Sequence, residues 1–552
     1  MILAASATAC GSEGLPPSED ASVSDATPPD ATPAKDSAAP DAGDAGSPDA
    51  SADSTAPDGG ADSTAPDGGP GDGGDGGPPP EPSIVPGLPG RTLLAGTILT
   101  ATGAITGEVL VVGDTIQCVE PGNTCSSHPD AAGATRIETQ GVISPGLIDT
   151  HNHILFDVFD ADDWAPIMSY QNHDQWTNEP GYHEMLDVKH CLANDSQGKP
   201  AWCAATVYGT AAGSLRCEMD KWGELKGLVS GTTSIVGLPG TSAGCFGSLA
   251  RSVDVSQNGL GTDTVQTSAL FPPSDANAVC ANFASGRTTS FIAHCGEGVD
   301  ARSLNEFARL GVSTPPGCLY APQTTLTHGV AFGANEFLSM AATGMKLVWS
   351  PQSNLSLYGA TANIPLAVDS GVLIALGPDW SMGGSQNMLD ELRFASNWST
   401  TRWAGRFTSR DLVTMATANG ATVLALDDRL GKIAPGYLAD ISVFRGNVGA
   451  PYDAVVTASP REVTLVMVGG VALYGDTVLE PSAPAAPGCE TVDICGRPKF
   501  LCAATSTPAN KLDQTFAQIQ TALSQALAET DAIRAPAKAF SPLTPLVKCP
   551  PP

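Results

Sequence analysis

The sequence predicts an α/β protein in which a (β/α) barrel interrupts a small β-sandwich. Residues 92–112 form short β-branched stretches broken by glycine, residues from Gly141 onward alternate buried strands with helical stretches, and LGKIAPGYLADISVF (430–444) returns to strands. Because strands at both ends enclose a long βα region, the simplest arrangement is a barrel whose flanking strands form one composite sandwich. The 552-residue chain also exceeds the ~250–300 residues at which single cores stop growing, so further segments are expected.

The first ten residues, MILAASATAC, resemble the end of a bacterial lipoprotein signal, in which the cysteine becomes the lipidated N-terminus. The basic start is missing, the apolar part is short, and Ala7 stands where such signals usually carry leucine. We expect residues 1–10 to be a signal remnant and the protein to be exported to the bacterial cell envelope, lipid-anchored at Cys10 or periplasmic. Any membrane contact is expected through that anchor, because no other stretch approaches the ~18 apolar residues of a membrane span.

Residues 11–90 consist almost entirely of Ala, Asp, Pro, Ser, Gly and Thr, and the nonamer ADSTAPDGG occurs at 52–60 and again at 61–69. Such a segment has too little apolar surface to offset chain entropy, so we predict a disordered linker. Its 16 acidic residues and one basic residue, Lys35, contribute −15 to the net charge of −31. The rest of the chain is acidic as well, so nucleic acid is not an expected partner.

The barrel is predicted over residues 141–431, and the sandwich combines residues 91–140 with residues 432–480. Eight barrel strands are expected at 146–152, 232–237, 249–255, 264–271, 290–295, 325–328, 346–350 and 373–379. Helices are expected at 204–228, 301–310 and 334–342, and after Thr408 with Ser409 as the N-cap.

Residues 481–552 form a cysteine-bearing tail for which we predict one helix. Five apolar residues recur there on one helical face, so the helix is expected to pack on the body. They are Leu512, Phe516, Ile519, Leu523 and Leu527.

Thirteen cysteines follow the first one, and several lie close in sequence, such as Cys118 with Cys125 and Cys191 with Cys203. In an exported protein these are candidate disulfides, although the sequence leaves their pairing open. The alternative for the four tail cysteines is a zinc site, which ranks below disulfides because paired CxxC spacing is missing. An odd number leaves at least one thiol free, and Cys295 is the candidate.

Metal-type side chains follow the ends of four predicted barrel strands. His151 and His153 follow PGLIDT, His294 follows SFIA, His328 follows TTLT, and Asp379 follows VLIALGP. Barrels build their sites at these strand ends, and histidines two positions apart on a strand share one face. Imidazoles with a carboxylate suit a divalent transition metal such as zinc. A lone HxH pair, buried histidine or strand-end aspartate is more often incidental, but their joint placement favours a metal site.

Several motifs, taken in order along the chain, resemble those of the amidohydrolase superfamily. The resemblance covers residues 91–479 and is nearest to the branch of cytosine deaminase, the triazine hydrolases and related metal-dependent hydrolases. It implies a distorted (β/α)8 TIM barrel with a composite β-sandwich formed by segments flanking the barrel, and it includes neither the linker nor the tail. The motifs are PGLIDTHNH (145–153), HCGEG (294–298), THG (327–329), SPQSNLSLYG (350–359), LGPDW (376–380) followed by GGSQNMLDELRFA, and GKIAPGYLADISVF (431–444).

The resemblance also implies a single catalytic metal ion, zinc or alternatively iron, held by His151, His153, His294 and Asp379. Dinuclear members of the superfamily bridge two ions with a carboxylated lysine after the fourth strand. Residues 238–289 contain no lysine, which favours one ion.

The same resemblance implies three catalytic residues. Asp379 would accept a proton from the attacking water, His328 would steady the hydroxide or polarise the substrate, and Glu297 would move a proton to a ring nitrogen or leaving amine. Glu297 could alternatively be a charged residue that opens the loop into the next helix. Two roles remain open for three further residues, orienting substrate or capping a turn: Gln352, Ser353 and Asn354.

The loop after the first predicted barrel strand, residues 156–203, is long, aromatic and cysteine-bearing, so we expect it to form much of the pocket wall. A second metal site there is the alternative to solvent-facing histidines, which are commoner. The loop contains His173, His183 and His190 together with Trp164, Trp176 and Trp202.

These features predict a metal-dependent hydrolase that cleaves a C–N bond, other than a peptide bond, in a small cyclic amide, amidine or amino-heterocycle. The alternative from another class is a catalytically silent barrel kept as a surface binding or structural protein. The long linker and the tail motivate that alternative, but a binding protein has no need of a positioned acid/base such as Glu297. Dechlorination, ring opening and dipeptide cleavage are further reactions that the same metal site would serve.

Overall fold

The computed structural model describes residues 80–195, 198–237, 249–256, 258–268, 276–312, 316–506 and 511–549. The predicted signal remnant with Cys10, and all but the last residues of the predicted linker, lie outside the described residues. Within the described ranges, every helix is too short or too polar to span a bilayer.

Eight parallel strands form the central layer, and each overlaps one of the predicted barrel strands. Strands β6 to β8 pair side by side, and strands β9 to β13 form a second parallel sheet. They follow five N-terminal strands, β1 (Ser83–Val85), β2 (Leu88–Thr100), β3 (Gly103–Val112), β4 (Thr115–Pro121) and β5 (Ala134–Pro145). The eight are β6 (Leu147–Asp149), β7 (Thr232–Ile235), β8 (Arg251–Ser252), β9 (Val265–Ser268), β10 (Ser290–Cys295), β11 (Thr324–His328), β12 (Lys346–Trp349) and β13 (Leu373–Leu376).

The two parallel sheets meet on one side, where Asn152 bridges to Asp379 and the Thr150 amide donates to the Leu376 carbonyl at 3.4 Å. On the other side, no ladder joins β8 to β9 in the part of the chain that is described. The fold is therefore α/β and TIM-barrel-like, whereas the described strands do not complete the closed (β/α)8 ring that the sequence predicted.

Thirteen helices accompany these strands in the described ranges. The helix predicted at 204–228 begins only at Arg216, and the N-cap of α10 is Thr408, not Ser409, because the Thr408 hydroxyl accepts the Asp411 amide. The helices are α1 (His173–Trp176), α2 (Pro180–Leu192), α3 (Arg216–Leu228), α4 (Ala276–Ser285), α5 (Ala301–Arg309), α6 (Ala334–Thr343), α7 (Pro351–Tyr358), α8 (Ile364–Asp369), α9 (Met388–Arg402), α10 (Ser409–Met415), α11 (Ala418–Val423), α12 (Pro451–Val456) and α13 (Phe516–Arg534).

A compact apolar cluster fills the space between the parallel strands. It includes Ile148, Ile292, Val348 and Ala375, one from each of four strands, and Ala421 of α11 packs against them. Successive side chains along a strand point to opposite faces, so His294 lies on the same face as Ile292, two residues nearer the carboxyl end of β10. The cluster therefore forms the floor beneath the strand-end polar residues.

Strands from both ends of the chain join in one continuous sheet beside the parallel layer. Strand β14 pairs antiparallel with β5, and the order of the ten-stranded sheet runs β17-β18-β16-β15-β14-β5-β2-β3-β4 with β1 beside β5. The sequence predicted a sandwich in this place. The remaining strands are β14 (Ile441–Phe444), β15 (Val463–Val468), β16 (Val471–Asp476), β17 (Glu490–Ile494) and β18 (Arg497–Leu501).

The tail contributes a hairpin as well as the predicted helix. Ile494 pairs with Arg497, so Cys495 and Gly496 form a two-residue turn, and both have positive φ, 52° and 78°. This is the pattern of the tight turns that match the twist of two paired strands. The sheet consequently extends past residue 480 into the tail.

Disulfides hold several of these elements together. The predicted disulfides Cys118–Cys125 and Cys191–Cys203 both form. The four tail cysteines pair with each other, and no zinc site lies among them in the described ranges. Cys295 is buried and unpaired, in agreement with the prediction of a free thiol. The pairs are Cys118–Cys125, Cys191–Cys203, Cys280–Cys318, Cys489–Cys502 and Cys495–Cys549.

The end of the tail packs on the loop that follows β6. The Lys548 Nζ lies 2.9 Å from the Asp160 carboxylate, which also accepts a hydrogen bond from the Thr544 hydroxyl. The rings of Phe540 and Phe159 are 5.6 Å apart, edge to face. The tail therefore fastens this loop to the body of the protein.

Candidate active site

The strand-end side chains singled out in the sequence converge on one point above the apolar floor. His151 and His153 follow β6, His294 lies in β10, His328 ends β11, and Asp379 follows β13. The ligand atoms of His151, His294, His328 and Asp379 all lie within 4.8 Å of one another. The Nε2 of His153 joins them, 3.3 Å from the Asp379 carboxylate. Residues from four strands thus form one polar cluster.

Two histidines of this cluster are buried without a protein hydrogen bond for a ring nitrogen. Both nitrogens of His151 and the Nε2 of His328 have no hydrogen-bond partner in the described structure. The His151 Nε2 lies 3.0 Å from an Asp379 oxygen, but outside hydrogen-bonding geometry. Leaving such atoms unpaired costs about 1–3 kcal/mol each. A cation held by these nitrogens and the carboxylate removes that cost, so the residues present fit a metal ion.

The electrostatics of the cluster favour the ligand form of each residue. Burial lowers the pKa of His151 to about 4 and that of His294 well below its usual value, so both imidazoles are neutral at pH 7. Burial alone would raise the pKa of Asp379, but the neighbouring His151 and His153 outweigh it and hold that pKa well below its usual value. Neutral imidazoles and an ionised carboxylate are the forms that bind divalent metals.

Hydrogen bonds from outside the cluster orient its members. The Ser353 hydroxyl donates to Asp379 Oδ2, and the Asn354 side-chain oxygen lies 3.0 Å from the Nδ1 of His328. The Nδ1 of His294 faces the Ser268 carbonyl at 3.2 Å. Such contacts fix ring orientation and leave the Nε2 of each imidazole free to bind a metal. Ser353 and Asn354 thus each bind a residue of the cluster, a contact that neither of the two predicted roles, orienting substrate or capping a turn, describes.

Gln352 has a different role. Its amide nitrogen donates to the Gly384 carbonyl at 2.9 Å, and its amide oxygen accepts the Ser385 hydroxyl at 2.8 Å. Gln352 therefore ties α7 to the loop after β13, and both ends of its amide are occupied.

The backbone at the cluster is strained. His328 and Asp379 have φ values of 75° and 73°, in the left-handed region that non-glycine residues seldom adopt. Such positions cost on the order of 1–3 kcal/mol and concentrate at functional sites. The backbone also packs closely beside the cluster, since a Cβ at Gly377 would lie 2.7 Å from the His151 Cβ.

Glu297 lies beside the cluster, as its motif predicted. Its side chain is buried, and its Oε1 is 3.8 Å from the Nε2 of His328. The same oxygen accepts a 2.7 Å hydrogen bond from the Tyr358 hydroxyl, which in turn accepts one from Trp176 Nε1 at 2.8 Å. Tyr358 is the last residue but one of the motif SPQSNLSLYG (350–359), but no residue pattern assigned it a role.

Comparison with known proteins agrees with this site. The sequence profile of the amidohydrolase family matches residues 277–473, which include His294, Glu297, His328 and Asp379. Residues 277–473 therefore match the amidohydrolase family.

The proteins to which the chain is similar in sequence include enzymes described as 5-methylthioadenosine/S-adenosylhomocysteine deaminase. The chain is 26% identical to that of Symbiobacterium thermophilum over 431 residues, which cover 69% of this chain and 92% of the relative. It is 29% identical to that of Nitratidesulfovibrio vulgaris over 199 residues, 34% of this chain, and this match spans only 43% of the relative's length.

Solved structures share the fold at low sequence identity. The atrazine chlorohydrolase TrzN from Arthrobacter aurescens, complexed with zinc, aligns with a TM-score of 0.51 at 17% identity over 72% of this chain and 96% of TrzN. The guanine deaminase of Bradyrhizobium japonicum aligns with a TM-score of 0.50 at 16% identity over 70% of this chain and 100% of that protein.

In this protein the loop after β6 lines one side of the site. Four aromatic side chains of this loop pack with Trp380, which follows β13, and the five together are called the aromatic wall. The ring of Trp380 lies 5.7 Å from that of His153 and 5.1 Å from that of Trp176. The aromatic wall thereby reaches the polar cluster. Its members are Phe156, Trp164, Trp176, Tyr182 and Trp380.

Trp202 is not part of the aromatic wall, although it lies in the same loop. It contacts the Arg534 guanidinium of α13 at 5.9 Å. The three loop histidines also lie apart from the cluster. His190 is 3.7 Å from the Asp195 carboxylate, His183 is exposed, and neither they nor His173 belong to a metal-type group among the residues described.

His173 takes part in a connection between the loop after β6 and the loop after β10, which we call the clamp. The His173 Nε2 is 2.9 Å from the Glu306 carboxylate, and the Asn172 amide donates to Asp300 at 2.6 Å. Burial opposes a charge on His173, but the hydrogen bond to Glu306 and nearby carboxylates raise its pKa to about 9. No local sequence pattern indicates this pair, because 133 positions separate its members.

Proposed function

We propose that this protein is a metal-dependent hydrolase that removes an amino group from, or otherwise cleaves a C–N bond in, a cyclic amide, amidine or amino-heterocycle. The observation that carries the proposal is a buried carboxylate, Glu297, placed 3.8 Å from His328 at the edge of the metal-type cluster. A cluster alone suits a structural or regulatory ion, whereas an acid/base beside it suits hydrolysis.

We assign the ion as one zinc, with iron as the alternative, held by His151, His153, His294 and Asp379. Such an ion makes water nucleophilic at neutral pH by lowering its pKa from about 15.7 toward ~7. The ligand atoms of His151, His294 and Asp379 lie, together with that of His328, within 4.8 Å of one another, which supports a single ion. The fold neighbour TrzN, described as complexed with zinc, supports the choice of metal.

The protein side chains divide the proton transfers between them. Asp379 accepts the proton of the attacking water, and Ser353 keeps the carboxylate oriented by bonding to its Oδ2. Glu297 delivers a proton to the ring nitrogen or the leaving amine. The Nε2 of His328 has no hydrogen-bond partner in the described structure. In the proposed mechanism His328 faces the substrate and polarises it.

Two observations support an amino-heterocycle over the other substrates. Relatives with 26% identity across most of their length are described as deaminases of 5-methylthioadenosine and S-adenosylhomocysteine. In addition, the aromatic wall brings Trp380 next to His153, and a planar ring gains stacking energy on such a surface.

A substrate panel tests the proposal. Zinc-loaded full-length protein is incubated with adenine and guanine nucleosides, free purines and pyrimidines, triazines and cyclic ureas, and ammonia release is followed. We expect turnover of at least one amino-heterocycle, and a 10²- to 10⁴-fold lower kcat for Glu297→Gln with zinc content unchanged. Zinc binding without turnover of any panel member would instead favour the silent surface binding protein.

We further propose that the protein is exported to the bacterial cell envelope, where it is lipid-anchored at Cys10 or else periplasmic, and that its substrate is a small molecule. The disulfides of the described residues support an oxidising compartment. Fractionation of the source bacterium tests this: the protein is expected in the envelope fraction, and Cys10→Ser is expected to release it. A wild-type protein found in the cytoplasm would refute it.

A further inference from the structure

Glu297 is a buried carboxylate with a single side-chain hydrogen-bond donor in the described structure. Its exposure is 5%, and the Tyr358 hydroxyl, 2.7 Å from Oε1, is that donor. Tyr358 is itself buried and receives the Trp176 Nε1 at 2.8 Å. Three separate elements therefore meet at Glu297: the loop after β10, the end of α7, and α1 in the loop after β6.

The chemistry of the three groups fixes the direction of both hydrogen bonds. An indole N–H can only donate, so the Tyr358 oxygen must be the acceptor of that bond. The Tyr358 proton is then free to point to Glu297, whose Oε1 accepts it. With Oε1 occupied in this way, a proton on Glu297 resides on Oε2.

The Tyr358 phenol retains this proton across the working range of the enzyme. Burial and the neighbouring Glu297 carboxylate raise the pKa of Tyr358 well above its usual value. The donor is therefore permanent, and Oε1 remains an acceptor.

We propose that Tyr358 and Trp176 form a positioning relay for the acid/base Glu297, which reserves Oε2 as the atom that exchanges protons with the substrate. The inference rests on the proposed function, because it assigns how that function's acid/base is held. Neither Tyr358 nor Trp176 exchanges a proton with the substrate in this scheme. Both act through the orientation of the carboxylate.

The relay also couples the aromatic wall to the chemistry. Trp176 lies 5.1 Å from both Tyr182 and Trp380, ring centre to ring centre, so the indole that holds Tyr358 is packed into the pocket wall. A substrate that displaces the aromatic wall therefore also disturbs the hydrogen bond from Trp176 to Tyr358, and with it the position of Glu297.

The test removes one hydrogen-bond donor at a time from the full-length, zinc-loaded enzyme. Tyr358→Phe deletes the donor to Glu297. Trp176→Phe deletes the donor to Tyr358 and also puts a smaller ring into the aromatic wall. Tyr320→Phe is the matched control, because the Tyr320 hydroxyl makes a comparable 2.7 Å bond, to the Phe307 carbonyl, and has no part in the relay. Zinc content, the unfolding midpoint, kcat and KM are measured for each variant, alone and combined with Glu297→Gln.

For Tyr358→Phe we expect kcat to fall roughly ten- to hundredfold, the range of a lost hydrogen bond to a charged group, with KM and zinc content near wild type. Trp176→Phe should lower kcat less, since it acts through Tyr358. In the Glu297→Gln background Tyr358→Phe should have no further effect on kcat, because residues that act as one unit are not additive.

The outcomes separate the relay from the proposed function. If Glu297→Gln abolishes turnover while Tyr358→Phe matches Tyr320→Phe in kcat, the relay is wrong and the proposed function stands. If Tyr358→Phe lowers kcat equally with and without Glu297, its effect does not pass through Glu297 and the relay is again overturned. A wild-type protein without turnover, or a fully active Glu297→Gln, removes the proposed function and the relay together.

Discussion

The polar cluster at the strand ends, which we call the barrel mouth, contains His151, which is buried with no hydrogen-bond partner in the described structure and has a pKa of about 4. In the clamp, by contrast, His173 is hydrogen-bonded to Glu306 and has a pKa of about 9. Both imidazoles are largely removed from water, so burial alone cannot explain the difference. The carboxylates next to His173 outweigh desolvation, while at His151 desolvation is the larger effect. The same residue type is thus neutral at pH 7 in one region and a cation in the other.

The largest expected effect comes from removing the anionic member of the barrel mouth. Asp379→Asn should lower kcat by roughly 10²- to 10⁴-fold, because Asp379 is both a metal ligand and the acceptor of the water's proton in the proposed mechanism. Metal analysis and turnover on the substrate found by the panel measure it. Asp369→Asn is the control, since Asp369 is an exposed partner of Arg406. Wild-type turnover with bound metal in Asp379→Asn would contradict the assignment.

The next prediction tests whether the stability of the loop that carries the clamp is independent of metal binding at the barrel mouth. Replacing Cys191 and Cys203 together by serine should lower the free energy of unfolding by about 3 kcal/mol, because their disulfide closes a 12-residue loop. Urea denaturation measures this, and metal content should remain at the wild-type level. Replacing Cys118 and Cys125 is the control for a disulfide in the flanking sheet. Loss of metal in the first variant alone would show that the mouth depends on this loop.

A pH-dependent effect isolates the charge of His173. Because its folded pKa of about 9 is above the ordinary value of 6.5, its contribution to stability is fully present below pH 6.5 and is lost as the pH rises through 9. His173→Gln should therefore destabilise the protein by about 2 kcal/mol at pH 6 and by much less at pH 9.5. Denaturant unfolding of both proteins across this range measures it. A difference that is independent of pH would mean that His173 is neutral.

The smallest expected effect is a change in metal affinity when the hydrogen bond from Ser353 to Asp379 is removed. Ser353→Ala removes the hydroxyl that bonds to Asp379 and should weaken metal binding about tenfold. Titration with a competing chelator measures the affinity. Ser356→Ala, an exposed position on the same helix, is the matched control. Equal affinities for the two variants would show that the Ser353 bond does not orient the ligand.

The barrel mouth could be predicted from the sequence because its residues sit at fixed positions relative to buried strands. The carboxyl ends of neighbouring parallel strands lie at one edge of the sheet, so the sequence alone predicts that His151, His294 and Asp379 lie together. The tail hairpin was missed although a signal existed. ETVDI and RPKFL are strand-length segments on either side of Cys-Gly, a turn-compatible pair.

The clamp and the support of Glu297 could not be predicted in the same way. Trp176 and Tyr358 are 182 positions apart, and His173 and Glu306 are 133 apart, so neither pair leaves a local pattern. Their contacts depend on how the loop after β6 folds over the strand ends. Closure of the barrel was also predicted from repeated strands, whereas pairing between β8 and β9 depends on register, which periodicity does not fix.

The double duty of Trp176 matters for anyone who wishes to change which molecules this enzyme accepts. A designer would normally enlarge the pocket by shrinking any aromatic residue that lines it, but shrinking this one also withdraws support from the proton-transfer machinery. Tyr182 lines the same surface without a hydrogen bond to that machinery, so it offers a safer starting position for mutagenesis libraries. Substrate range and kcat are therefore coupled at Trp176, whereas a substitution of Tyr182 changes substrate range separately from kcat.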